Sequence, residues 1–246
     1  MMANVWGRRV ARALWILVAV WNASAFLVSA ATLELSPTGQ PTKYYLGFEM
    51  AEIRGFDGVT FGMNPEEVES LVAELYPDGT HTWVDDPINL TRLLHVAVDT
   101  LTPVPGMQGI GPAGITYVFG AESGRLTAIN LNWVIGSDRD ASAQERQAVL
   151  SLGTAYVAEL LQYMWPPGMM VQGVVVEPNS VILFAGQDLE GRGVEVTVEG
   201  VPLDVIILPD GIEEHRPIDT GPVQLRIAFA ERPDDPDVFT LEPGSF

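Results

Sequence analysis

Two helix starts, each followed by four apolar runs of strand length, constrain this chain more than any other feature. At Asn64-Pro65-Glu66-Glu67 a capping side chain precedes a proline suited to the first helical turn, and Glu67 can reach back to the cap. Val68, Leu71, Val72 and Leu75 then recur at helical spacing, and Tyr76-Pro77-Asp78-Gly79 ends the run with turn chemistry. Ser142 and Glu145 form a second capping box. Behind it Val149, Leu152, Gly153, Tyr156, Leu160 and Met164 predict a longer amphipathic helix, stopped by Pro166-Pro167-Gly168.

After each helix the period of the pattern changes to that of strands. Residues 80–84, 93–101, 115–119 and 126–134 follow the first, with Gly120-Ala121-Glu122-Ser123-Gly124 joining the last two as a hairpin. Residues 171–176, 181–184, 194–198 and 223–229 follow the second. The predicted fold is α+β, with two helix-then-antiparallel-sheet modules over 47–136 and 137–230. Ile115-Thr116-Tyr117-Val118-Phe119 with Gly124-Arg125 can be laid beside Val181-Ile182-Leu183-Phe184 with Gly191-Arg192. That likeness fits a divergent duplication, and it fits equally two ordinary hairpins whose turns need a glycine.

The ends of the chain are read differently. Arg8, Arg9 and Arg12 precede the apolar run Leu14 to Val20, and small residues follow at Val28-Ser29-Ala30-Ala31. This is the order of a secretory signal peptide over 1–30, cut after Ala30 or one residue later. Retention of residues 13–31 as an anchor is the rival, since a membrane span needs roughly 20 residues. Asn22, Ser24 and Ser29 interrupt that run. Pro37, Gly39 and Pro41 mark 31–46 as a linker, and the proline and acid of 231–246 mark a disordered tail in which residues 238–241 could dock on a sheet edge.

Composition narrows the chemistry. The chain has no cysteine, which removes disulfides, zinc thiolates, thiol catalysis and lipid attachment through cysteine. With a signal sequence, this fits a bacterial periplasmic or secreted protein. Formal net charge is −19, Lys43 is the sole lysine, and residues 1–30 hold three arginines and no acid, so the exported part is more acidic still. Nucleic acid and anionic lipid, which need a cationic face, are excluded as partners.

No motif identifies a reaction. Gly109-Ile110-Gly111-Pro112-Ala113-Gly114 satisfies the spacing of a dinucleotide loop, but Pro112 breaks it and a β-rich run follows where a helix should open. Asp138-Arg139-Asp140-Ala141-Ser142 begins like a calcium loop, yet Ala143 and Val149 stand where glycine and a bidentate glutamate belong. Capping of the next helix explains the same residues. His81, His95 and His215 lack metal-ligand spacing, Ser123 and Ser180 sit in turn contexts, and Glu213-Glu214-His215-Arg216 reads as a solvated turn. Asn89-Leu90-Thr91 is read as a chance glycosylation pattern. Trp83 and Trp133 would suit a sugar platform, though an indole is more often core. No catalytic, cofactor-binding or metal-ligating residue is assigned.

Gly58-Val59-Thr60-Phe61-Gly62-Met63, the capped Asn64-Pro65-Glu66-Glu67-Val68 helix, and the Tyr117-Val118-Phe119 hairpin with Gly124-Arg125-Leu126 resemble the β-lactamase-inhibitor-protein-like fold, shared with a small outer-membrane assembly lipoprotein. The resemblance covers residues 55–134. It implies protein binding across a concave sheet in the envelope, without catalysis; the lipoprotein's cysteine anchor is missing here. The expected role is therefore an exported, non-catalytic envelope protein that binds another envelope protein or takes part in assembly. A hydrolase of a cell-wall or extracellular substrate using Asp and Glu, and a small-ligand or cation-binding module, stay open as alternatives.

Overall fold

The computed structural model describes residues 44–45, 48–104, 106–107, 109–177, 180–201 and 220–239. The 1–30 segment read as a signal peptide, most of the 31–46 stretch read as a linker, residues 213–216 and the last seven residues lie outside them. Tyr44–Tyr45 (β1), within the stretch read as linker, pairs antiparallel with Phe48–Glu49 (β2).

The described residues from Met50 onward form a unit organised around one antiparallel sheet. A short hairpin, Gly55–Phe56 (β3) and Val59–Thr60 (β4), precedes helix α1, Pro65–Leu75. Four strands follow: Thr80–Asp86 (β5), Thr91–Val98 (β6), Ala113–Phe119 (β7) and Leu126–Ile135 (β8). Helix α2, Ala143–Leu160, opens the second set, which is Met170–Glu177 (β9), Ser180–Gln187 (β10), Gly193–Glu199 (β11) and Val223–Ala230 (β12). All eight predicted strands and both helices are present.

The spatial order is β5-β6-β7-β8-β12-β11-β10-β9. Each helix is thus followed by a four-stranded meander, and the two meanders meet through their last strands. Leu131 lies opposite Ile227 and Trp133 opposite Leu225 at this seam. The two meanders share one core: Ile115, Leu131, Ile227 and Val196 form an unbroken buried row across both.

Both capping boxes form. Asn64 Oδ1 accepts the Glu67 N–H at 2.9 Å while the Glu67 carboxylate accepts the Asn64 N–H at 2.9 Å. Ser142 and Glu145 make the same exchange at 3.3 and 2.8 Å. Val68 and Val72 of α1, and Val149 and Leu152 of α2, are fully buried against the sheet. Burial of one such side chain is worth about 1.5–3 kcal/mol. Gly153 lets α2 settle closely, because a Cβ there would stand 2.8 Å from Leu183 Cδ1 on β10. The predicted α2 stripe ends early. The helix stops at Leu160, Met164 leaves it to accept the Ala51 N–H at 2.8 Å, and Trp165 folds back with its indole N–H on the Leu160 carbonyl. The Trp165 ring lies edge-on to Phe184, 4.9 Å between centroids, in space that any side chain at Gly186 would fill.

Arg146 extends the α2 stripe at its start, where an apolar residue would be expected, and is 3% exposed. Its guanidinium donates to the carbonyls of Ala141 (3.2 Å), Gly200 and Gly221 (2.6 Å). It therefore joins the helix start to both ends of the β11–β12 connection.

The 231–246 segment, read from composition as a disordered acidic tail, carries defined contacts as far as Phe239. The Glu231 N–H reaches the Thr127 carbonyl, Asp234 accepts from the Gln187 amide, and the Asp237 carboxylate takes the N–H groups of Glu122 (2.9 Å) and Ser123 (3.0 Å). Gly120 has no Cβ because that carboxylate occupies its place. Phe239 donates its N–H to the Asn89 carbonyl in the β5–β6 turn.

The local likeness between 115–131 and 181–196 falls on unequal positions: β7–β8 are the third and fourth strands of their meander, whereas β10–β11 are the second and third of theirs. Both turns hold a glycine at positive φ, +60° at Gly124 and +80° at Gly191. The shared glycine is a requirement of the turns.

Candidate functional site

Strand alternation sorts the sheet into two chemically different faces. On β12, Val223, Leu225, Ile227 and Phe229 are buried, while Gln224, Arg226, Ala228 and Ala230 are at least partly exposed. The buried set meets α2 through Leu225, the β3–β4 hairpin through a Phe56–Phe229 ring stack at 5.8 Å, and, along the same face, α1 through Trp83 and Glu69. Both helices therefore cover one face. The opposite face stays partly exposed over most of the sheet, with Thr197 on β11 buried.

Three rows of residues cross that open face. The middle row includes Thr82, His95, Thr116, Asn130, Ala228 and Glu195. His95 Nδ1 lies 2.8 Å from the Thr116 hydroxyl. Two residues along, Asn132, Arg226 and Thr197 form a polar row; Arg226 pairs with Glu195 at 2.5 Å, and the Thr197 hydroxyl donates to the same carboxylate at 3.0 Å. The third row, Val84, Leu93, Val118, Ala128 and Ala230, is apolar. The side chains are mostly small, so a partner could approach the sheet closely, with hydrogen bonding at one end and apolar contact at the other.

The aromatic residues that could have served as a sugar platform belong to the covered face. Trp133 is fully buried, and Trp83 packs against Phe119 at 5.5 Å with the Arg92 guanidinium 4.1 Å over its ring. Among the described residues, Trp133 Nε1, the Tyr117 hydroxyl and His81 Nε2 are buried without a hydrogen-bond partner. Burial pushes the Tyr117 and Tyr76 phenols well above their usual range, so both are neutral; Tyr76 donates to Asp57 at 3.0 Å.

The remaining sequence candidates take structural places. Gly114 lies inside β7 and no helix follows the glycine-rich loop. In the 138–142 segment, Asp140 accepts the Gly221 N–H at 2.6 Å, Arg139 pairs with Glu145 at 2.6 Å, and Ser142 caps α2. Arg139, then Ser142, hold the Glu145 carboxyl down at about 2. His81 and His95 stand on opposite faces, since they occupy adjacent cross-strand registers. The Ser123 hydroxyl accepts the Arg125 N–H within its turn. His215 lies outside the described residues. Among the described residues no three His, Asp or Glu side chains converge to hold a metal ion. The opening along α1, lined by Asn64, Glu66, Glu67, Ser70 and Glu74, is a shallow acidic groove in which Glu67 is already engaged by its cap.

Sequence inspection missed two built features. The Asp188 carboxylate, wholly buried, accepts from the Ile53, Glu190 and Arg192 N–H groups and from Arg192 Nε, all within 2.8–3.0 Å. Only Asp188-Leu189-Glu190-Gly191 hinted at it, as a turn. Arg146 gave no signal beyond its place in the apolar stripe. No protein family, curated protein or solved structure matches the chain.

Proposed function

We propose that this chain is an exported, non-catalytic envelope protein that binds another protein across the open face of its eight-stranded sheet. The observation that carries the reading is the asymmetry of that sheet: both helices cover one face, and the other presents the polar and apolar rows described above. A sheet with one uncovered face of small side chains is a ready docking platform. Two helix-plus-meander units joined at the β8–β12 seam support a tandem arrangement of one ancestral unit. The signal sequence supports export from a bacterial cell.

The test uses the tagged full-length chain in its native cells. After brief crosslinking, proteins retained by wild type are compared with those retained by Ala228→Arg, which places a long charged side chain at the centre of the open face and leaves the core untouched. Loss of a reproducible partner with an unchanged melting temperature is the expected result. Equal capture by both chains, or none by wild type, refutes the reading. N-terminal sequencing of the exported protein should begin at Ala31 or Thr32.

A further inference from the structure

The turn between β5 and β6 holds apolar side chains in solvent on a strained backbone. Asp86 starts the turn: its carboxylate accepts the N–H of Ile88 at 2.9 Å, that of Asn89 at 3.3 Å and the Asn89 side-chain amide at 2.8 Å. Pro87 supplies the fixed φ that the next turn position favours. To rejoin β6 the chain then passes through the left-handed region, and the residue there is Leu90, at φ +52°. Glycine or asparagine avoids the steric cost that leucine carries in this conformation. Leu90 is 56% exposed and Ile88 79% exposed, so neither side chain offsets that cost by entering the core.

Strain combined with exposed apolar surface points to a role outside folding. Two further exposed apolar residues adjoin the tip. Val84 is 40% exposed at the end of β5, and Phe239 is 47% exposed where its N–H is held by the Asn89 carbonyl. Val84 also begins the apolar row of the open face, which continues through Leu93 and Val118. The tip is thus continuous with that face.

Charge selects the occupant. Asp85 and Asp86 stand at the base of the tip, Arg92 is drawn over the Trp83 ring, and the whole chain carries −19. A second copy or an anionic bilayer would be repelled. We propose that Ile88 and Leu90, with the Val84 row behind them, anchor a protein partner whose apolar groove is bordered by lysine or arginine. The inference rests on the open-face reading and assigns it an energetic centre.

The test places a photoreactive benzoylphenylalanine at position 88 of the full-length chain in its native cells, with position 189, an exposed leucine in the turn between β10 and β11, as the control. The protein crosslinked from 88 and not from 189 is purified and titrated calorimetrically against wild type, Ile88→Ser, Leu90→Gly and Ala228→Arg. The expected result is roughly tenfold weaker binding for each tip variant, as for loss of one buried aliphatic anchor, with affinity falling as salt rises. Leu90→Gly should keep or raise the melting temperature, an outcome that a folding role for Leu90 would reverse. Crosslinking to a second copy, to lipid or equally from both positions overturns the proposal, as does tip-variant affinity equal to wild type. If Ala228→Arg alone weakens binding, the tip is refuted and the open face stands. If no variant weakens binding, both fail.

Discussion

Replacing Arg146 by methionine keeps most of the aliphatic volume at the start of α2 and removes every donor. In the native chain the guanidinium, 3% exposed, serves three carbonyls. The Gly221 carbonyl retains the Ala141 N–H at 3.0 Å after the change, so the loss falls chiefly on Ala141 and Gly200. A buried acceptor deprived of its donor costs about 1–3 kcal/mol, which for two gives roughly 2–6 kcal/mol. Burying a guanidinium is itself costly, and methionine removes that penalty. The balance is a destabilisation of about 3 kcal/mol, a large part of the roughly 5–15 kcal/mol that holds a domain together. For a chain of this size it lowers the melting temperature by about 6–12 °C. Urea titration followed by circular dichroism measures the difference directly. Arg146→Lys should fall between, because an ammonium cannot span three carbonyls as a planar fork does. A methionine variant within about 0.5 kcal/mol of wild type would refute the reasoning, since it would mean that the three carbonyls are satisfied without Arg146.

Asp188→Asn tests the other buried charge: one acceptor oxygen is lost and an NH2 group is turned toward backbone N–H donors or Arg192 Nε, for an expected loss of about 2–4 kcal/mol with faster hydrogen exchange at Ile53; unchanged exchange there would contradict the assignment. Acid sensitivity follows from two carboxyls. Arg139 with Ser142 holds Glu145 at about 2 against an ordinary 4.5, and the Ser123 hydroxyl with the Glu122 and Ser123 N–H groups lowers Asp237. A lowered folded-state pKa stabilises fully above the unfolded value and is lost as pH falls through the folded one. The melting temperature should therefore hold steady from neutrality to about pH 5 and decline between 4.5 and about 2, and Glu145→Gln should flatten that decline; an equally steep decline in the variant would show that Glu145 takes no part.

Much of the secondary structure was legible because its causes are local. A capping box needs four consecutive residues, and strand alternation needs a run of five or six, so both helices and the eight strands of the large sheet could be placed from the chain alone. The contacts of residues 231–239 were not legible for the opposite reason. Proline and acid look disordered in composition, but Asp237 finds the N–H groups of a turn 114 and 115 residues away, and no local pattern records such a meeting. Trp83 and Trp133 were ambiguous in sequence because an indole suits either a core or a sugar surface; the face of the strand on which each falls decides between them.

The amino-acid sequence by itself determined the acidic character, the lack of thiol chemistry, the two capped helices and the strand-length runs that follow them. These depend on residue type and spacing within a single segment. Tertiary structure alone decided that the two meanders join through β8 and β12 into one sheet, that both helices cover the same face, and that Ile88 and Leu90 stand in solvent beside the open one. Such outcomes depend on which distant segments become neighbours. Arg146 and Asp188 belong with them: a charge is tolerated inside only where separate parts of the backbone converge to satisfy it, and that convergence exists only in the folded chain.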